Sequence, residues 1–418
     1  MTTETLTVRG GVADDLRPFA ELAARCFQNS VWTYDAILYV TLESIPQNPG
    51  YRHEYARVAY LGDQLVSEAQ VVPYTATYGA ATLHAGGVAY VCTDESHRGR
   101  GYAGAVMRDA VAYMQTTGFD VSFLNSGPDG YYNRFGYTPC WPIFNLRVEP
   151  PMVDCLVPGT LGADLTVRDL FGDDVPAMLA LYGQDYAGRP GARVRDLPYL
   201  QWKLSWGFPH RRGAFTADGQ LRGYVIGWGH EWLSEVIIVD QAAAAALLRD
   251  NAQIMRERET DDAARDKPFW WSVPPDAPTA AHVRALCTAS TIAYTRPAAG
   301  WMARILNLHS TFEKLLPELE ARLLDSARAG WEGALRLETD IGSVTLKAAR
   351  GRLALDGRAR PTATARLSQA DLVQLMFAYV PPEEIAARAG VHIDAEALRL
   401  LGALFPRRAA YIAGVDWY

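Results

Sequence analysis

The stretch Val88-Ala89-Tyr90-Val91-Cys92-Thr93, followed after four residues by Arg98-Gly99-Arg100-Gly101-Tyr102-Ala103-Gly104, decides the reading of this chain. The first part is an apolar run that reads as a strand, and residues 101–114 read as an amphipathic helix ended by Gly118. A strand that feeds glycines into a helix N-terminus leaves backbone N–H groups without intrahelical partners at the positive end of the helix dipole. Such an end cradles a pyrophosphate, and glycine lets the backbone come close to it. The stretch has neither the Lys-Ser/Thr of a Walker A loop nor the G-x-G-x-x-G spacing of a dinucleotide fingerprint. A Gly-rich turn ahead of an ordinary helix is the plain alternative.

Around this stretch, residues 57–60 and 64–78 read as strands, residues 119–124 as another, and Gly130-Tyr131-Tyr132 as an aromatic turn before a closing strand at 143–148. Pro150-Pro151 and Pro158-Gly159 mark a boundary. Beyond it the opening pattern returns. Leu6-Thr7-Val8-Arg9 recurs as Leu165-Thr166-Val167-Arg168, and at the same offset Asp14 and Asp15 meet Asp173 and Asp174, while Leu22 meets Leu181. Leu16, Phe19 and Phe27 meet Val175, Met178 and Tyr186 at helical spacing, so two copies of one module follow each other.

In the second copy, residues 224–228 and 236–239 read as strands and 242–255 as a helix. A third section begins near Pro297, with a helix at 310–327, alternating segments that suit an antiparallel sheet, and a capping box at Ser368 and Asp371. The expected fold is α+β: two mixed-sheet modules in tandem, residues 1–150 and 151–296, and a third domain, 297–418. The tail ends on Asp416-Trp417-Tyr418, and an aromatic end is expected to be docked rather than frayed.

Composition narrows the function. The 418 residues are 49% hydrophobic and 21% charged, which excludes a disordered, collagenous or coiled-coil chain. Forty Lys and Arg against 47 Asp and Glu give a net charge of −7, so no basic field is available for nucleic acid or an anionic membrane, and a cationic small molecule suits the chain better. The five cysteines have no C-x-x-C spacing and no zinc-like pairing with histidine, and read as buried small hydrophobes in a reducing compartment. No metal site is expected. Residues 1–10 do not form a signal peptide and no run reaches the roughly 20 apolar residues of a membrane span, so the expectation is a cytoplasmic protein.

Arg98-x-x-Gly101-x-Ala103 after its strand, with Tyr132-Asn133-Arg134-Phe135-Gly136-Tyr137 behind the next one, resembles the acyl-CoA-binding signature of the GNAT N-acyltransferases. Two such modules before a sterol-carrier-protein-like α/β domain resemble the enhanced intracellular survival (Eis-like) N-acetyltransferases over essentially the full length. The resemblance implies acetyl-CoA as cosubstrate, direct transfer to a small cationic amine of aminoglycoside or polyamine type, and a homohexamer. It makes Tyr132 the general acid and the C-terminal carboxylate of Tyr418 the base. It places Val91, Cys92 and Thr93 beside the pantetheine, Arg98, Gly99, Arg100, Gly101, Tyr102, Ala103 and Gly104 at the pyrophosphate, and Gly127 and Pro128 near the thioester.

Elementary chemistry agrees with these roles. A departing thiolate of pKa about 8.5 needs a proton, and a phenol near 10 within hydrogen-bond reach is a reasonable donor. Tyr131 and Tyr137 compete with Tyr132 for that part. Phe27, Trp32, Tyr34, Tyr39 and Trp417 are candidates for an aromatic acceptor cleft, with core packing as the alternative. Asn29 and Asn125 stand where the family carries an acid and a histidine, which departs from an aminoglycoside site; Asp35 and Asp416 are the candidates to replace the missing charge. Direct transfer needs no acyl-cysteine at Cys92. In the second copy Asp240-Gln241-Ala242-Ala243 replaces the glycines, so no CoA site is expected there. A protein lysine or N-terminal amine as acceptor, and a lipid-binding role for the third domain, stay open as other readings.

Overall fold

The computed structural model of the protein describes residues 5–30, 32–258 and 267–418. The chain forms two compact units. One comprises Met1–Cys140, Arg296–Arg407 and Tyr418, the other Trp141–Thr295 and Arg408–Trp417. In chain order the first strands are β1 (Leu6–Gly10), β2 (Ala56–Leu61), β3 (Gln64–Tyr78), β4 (Ala81–Thr93), β5 (Val121–Ser126), β6 (Thr138–Trp141) and β7 (Ile143–Val148). They are followed by β8 (Thr166–Asp169), β9 (His210–Phe215), β10 (Leu221–Gly227), β11 (Trp232–Ile238), β12 (Phe269–Trp271), β13 (Ala289–Tyr294) and β14 (Gly300–Ile305).

These strands make two seven-stranded sheets, β1-β2-β3-β4-β5-β14-β6 and β8-β9-β10-β11-β12-β7-β13. The sheets match position for position. Each has one parallel pair, β4 with β5 and β11 with β12, and an inserted antiparallel strand beyond it, β14 or β7. The repeat read from sequence holds in atomic detail. Arg9 pairs with Asp15, whose carboxylate also accepts the Val12 N–H at 2.7 Å; Arg168 pairs with Asp174, which accepts the Phe171 N–H at 2.8 Å.

The expected boundaries at 150 and 297 cut through both sheets. Residues 143–148, read as the strand that closes the first module, are β7 and lie between β12 and β13 of the second sheet. The first sheet takes its inserted strand from Gly300–Ile305, which the sequence placed in the third section. The modules therefore exchange strands. Gly300-Trp301-Met302-Ala303-Arg304-Ile305 is mostly buried on both faces, so it lacks the alternation that marks a half-exposed strand, and nothing in a strand's sequence names its partner.

The third sheet belongs to the first unit and runs β17-β16-β15-β18-β19, from β15 (Gly333–Thr339), β16 (Gly342–Ala349), β17 (Arg352–Leu355), β18 (Ala363–Arg366) and β19 (His392–Ile393). It is not wholly antiparallel as expected. After β17 the chain crosses to the free edge of β15, so β18 runs parallel to β15. The capping box forms: Ser368 Oγ accepts the Asp371 N–H and Asp371 Oδ2 accepts the Ser368 N–H.

In the second unit, Asp416 is 3% exposed and its carboxylate takes Arg195 Nε at 3.0 Å and Tyr199 Oη at 3.1 Å, while Arg195 also holds the buried Glu235. Lys203 Nζ donates to the Trp417 carbonyl at 2.9 Å. This network fixes Arg408–Trp417. Arg195→Met leaves two buried carboxylates without their cation and is expected to cost about 3–5 kcal/mol, read as a fall in the thermal unfolding midpoint of the intact chain.

Candidate active site

The site grows out of a separation between two strands of the first sheet. β4 and β5 pair at Ala85–Val121, Gly86–Ser122 and Gly87–Phe123, and there the ladder stops. Past that point β4 continues to Thr93 and β5 stays paired with β14 on its other side. The edge of β4 that faces the gap has no strand partner among the described residues, so its backbone groups are open to a ligand.

A bulge in the β3–β4 ladder distorts this same stretch of β4. Gln70 pairs with Ala89 and Glu68 with Cys92, so one residue of β3, Ala69, stands opposite two of β4, Tyr90 and Val91. Tyr90 takes up the extra length at φ +50, a left-handed conformation that costs a non-glycine residue about 1–3 kcal/mol. Its partly buried ring, held edge-on by Phe19 and Phe27, keeps the backbone there.

Beyond β4, Gly101 at φ +85 is the N-cap of the helix Tyr102–Thr116, with no side chain capping it and open space where a Cβ would be. The N–H groups of the first turn therefore point into the cleft without a protein acceptor. The equivalent end in the second unit is closed. Asp240 Oδ1 accepts the Ala243 N–H at 2.8 Å and Asp240 pairs with Arg222, so the chain's own carboxylate sits where an anion would bind.

A cleft of about 880 Å³ runs between these elements. Of the residues picked out in the sequence, Val91, Cys92, Thr93, Arg98, Gly99, Gly101, Tyr102, Ala103, Gly104, Pro128 and Tyr132 line it; Arg100 and Gly127 do not. Arg100 turns back to the Ser96 carbonyl. Tyr131, the competitor of Tyr132 in the sequence, lines it as well, and the sequence reading missed Cys26, His97, Arg108 and Arg134, which also do. Arg134 lay inside the quoted aromatic motif and Arg108 lies one helical turn after Gly104, so spacing could have found both. Cys26 is brought in only by the packing of Leu16–Phe27 on the sheet.

Three tyrosines stand on the far wall, and their hydroxyls differ. Tyr137 is fully buried and shares a 2.7 Å hydrogen bond with Ser122 Oγ. The Tyr131 hydroxyl is buried without a partner, and its ring lies under Arg134. The Tyr132 ring lines the cleft, and burial, helped by Tyr131, Tyr137 and Cys92, holds its phenol above the usual range. That shift favours the proton-bearing phenol.

Tyr418 docks on the other face of β4. At Gly86 an added Cβ would strike Met114 of the cradle helix, whereas at Gly87 it would fall 2.3 Å from the Tyr418 ring. Only glycine leaves room for the terminal ring at the point where β4 and β5 part. Tyr74 and Trp301 flank the ring, each with centroids 6.1 Å away. Burial and Tyr74 raise the Tyr418 phenol well above its usual range, and Tyr137 is within electrostatic reach of both Tyr418 and Tyr132.

Residues 7–140 match the acetyltransferase (GNAT) domain family, a span that holds the bulged strand, the cradle helix and the aromatic turn. No curated protein matches the sequence. The whole fold is shared with solved structures: a GCN5-related N-acetyltransferase from Anabaena variabilis ATCC 29413 (16% identity, 99% of this chain and 100% of that one, TM-score 0.74), another from Kribbella flavida (18%, 100% and 99%, 0.72), and Eis1 from Mycobacterium abscessus (15%, 98% and 99%, 0.63). At such identities the likeness is one of fold.

The candidate acceptor residues do not form one group. Phe27 lines the cleft; Trp32 and Tyr34 pack against Ala23, Ala24 and Ile37, and Tyr39 is 59% exposed. Trp417 lies in the second unit, where its Nε1 donates to the Ile412 carbonyl. Asp416 is spent on Arg195 and cannot replace a missing acid, while Asp35 is exposed. Nor are all five cysteines buried: Cys155 is exposed and Cys26 half-buried.

Proposed function

We propose that the protein is an N-acetyltransferase that moves an acetyl group from acetyl-CoA to the amine of a small cationic acceptor, aminoglycoside-like or polyamine-like, by direct transfer. The observation that carries this is the uncapped helix N-terminus at Gly101 opening into the same cleft as the Tyr132 phenol, with the equivalent helix end of the second unit closed by Asp240. Acetyl-CoA supplies an activated acyl group as a thioester.

The chain's own groups divide the remaining work. First-turn N–H groups at 102–104, with Arg98, Arg108 and Arg134 along the cleft, hold the pyrophosphate. Free N–H groups on the edge of β4 that faces the gap stabilise negative charge on the thioester oxygen. Tyr132 protonates the departing sulfur. A free carboxylate on Tyr418 orients the cationic amine and passes its proton on through water, since an α-carboxylate and an alkylammonium differ by about 7 pKa units, or about 9 kcal/mol.

Acidic net charge favours a cationic acceptor. The test is CoA-thiol release from acetyl-CoA with polyamines and aminoglycosides set against lysine peptides and peptide N-termini. Faster turnover with the small amines is expected, and turnover only with peptides would replace this acceptor class by a protein. The same reading places the enzyme in the cytoplasm as a homo-oligomer, a hexamer by resemblance, which light scattering measures.

A further inference from the structure

Cys26, in the last turn of the helix Leu16–Phe27, and Cys92, on β4, both line the cofactor cleft, and Cys26 packs against the small apolar cluster that holds Cys92. Cys26 is half-buried, with Sγ 3.6 Å from the Thr93 carbonyl oxygen. Cys92 is 8% exposed, with Sγ 3.5 Å from Glu68 Oε1. Glu68 is itself fully buried, and its second oxygen has no hydrogen-bond partner among the described residues. Burial raises this carboxyl well above the usual carboxylate range, and Glu68 in turn helps to raise Cys92.

The thiols are unequal. The neighbouring Cys92 thiol lowers Cys26 to about 7 against the opposing effect of burial, with Arg98 and Arg25 also lowering it; Cys26 and burial push Cys92 well above its usual value. A low-pKa thiol open to a cleft and a high-pKa thiol in contact behind it are the parts of a nucleophile and a resolving group. Direct acetyl transfer uses neither.

We propose that Cys26 and Cys92 are a thiol–disulfide exchange site whose substrate class is a disulfide carrying a CoA half, bound in the same cleft. For this ligand class the proposal rests on the cofactor reading given above. The Cys26 thiolate attacks one sulfur of CoA disulfide, forming a Cys26–CoA mixed disulfide as the S–S bond breaks. The released CoA thiolate takes up the proton that Cys26 gave to solvent. Cys92 then attacks the Cys26 sulfur, forming the Cys26–Cys92 disulfide, and the second CoA leaves with the Cys92 proton. Two protein thiols are oxidised and one CoA disulfide is reduced to two CoA thiols.

The test uses the full chain with Cys155→Ser, which removes the exposed thiol, treated with CoA disulfide or glutathione disulfide and followed by intact mass and peptide mapping. Loss of two hydrogens with a Cys26–Cys92 link is expected, about tenfold faster with CoA disulfide because the cleft holds it. Added Cys92→Ser stops the reaction at one CoA on Cys26, and added Cys26→Ser prevents it. Iodoacetamide labelling of Cys26 rises through a midpoint near pH 7 as the thiolate forms. If no Cys26–Cys92 link forms, or if Cys92→Ser carries no CoA on Cys26, the exchange site is overturned. Acetyl-CoA turnover of the reduced protein, measured separately, is untouched by that outcome. Equal rates with the two disulfides would overturn the CoA ligand class.

Discussion

Tyr132→Phe is expected to lower kcat about a hundredfold to ten-thousandfold while acetyl-CoA binding and the unfolding midpoint stay where they are. The expectation rests on the three hydroxyls of the aromatic turn. Tyr137 is committed to Ser122 inside the core, so Tyr137→Phe removes one buried hydrogen bond while Ser122 keeps the Gly86 carbonyl, and is expected to cost about 0.5–1.5 kcal/mol of stability with little change in kcat. Tyr131 has a buried hydroxyl with no partner, and its removal relieves an unmet desolvation cost. Of the three, Tyr132 alone lines the cleft with a hydroxyl that is neither tied to Ser122 nor buried without a partner. Its pKa is raised, so the acid form is not lost as pH rises to about 10, and no basic limb below that value comes from this group. Steady-state kinetics of the three variants decide the assignment. A collapse of kcat in Tyr131→Phe with Tyr132→Phe active would move the acid to Tyr131.

A single glycine added after Tyr418 is expected to abolish turnover. The ring would stay in the notch over Gly87, held by Tyr74 and Trp301, but the charge would move one residue on, by about 3.3–3.6 Å. A carboxylate that orients an amine loses its geometry over that distance, and misplacements of about 1 Å already cost about a hundredfold. Acetyl-CoA affinity should not change, because no group of the cradle is touched. Turnover equal to the parent chain would remove the carboxylate from the reaction. Gly87→Val complements this test: its side chain displaces the ring itself, so turnover falls through loss of docking, seen as a lower unfolding midpoint as well.

Much of this site could be read in the sequence because it is local. The strand, the glycines at 99, 101 and 104, and the aromatic turn follow one another in fixed order, and each has a backbone reason to be there. The repeat was legible too, since the Arg9–Asp15 and Arg168–Asp174 pairs each need both residues at one spacing. What the sequence did not carry is pairing at a distance. β7 and β14 read as strands of the wrong module because a strand buried on both faces states its class and not its neighbours. Cys26 meets Cys92, and Tyr418 meets Gly87, only through tertiary packing. The internal comparison at Asp240 was the exception: an acid in place of glycine announced a closed helix end, and it caps that end itself.

The central claim is that the chain has one acetyl-CoA site, built on the uncapped helix of the first unit. Isothermal titration of the full chain with acetyl-CoA tests it most directly, together with Gly101→Glu, which sets a carboxylate against the open N–H groups and strains the left-handed cap. One acetyl-CoA bound per chain, lost in Gly101→Glu, is the expected result. Two per chain, or undiminished binding in the variant, would contradict it.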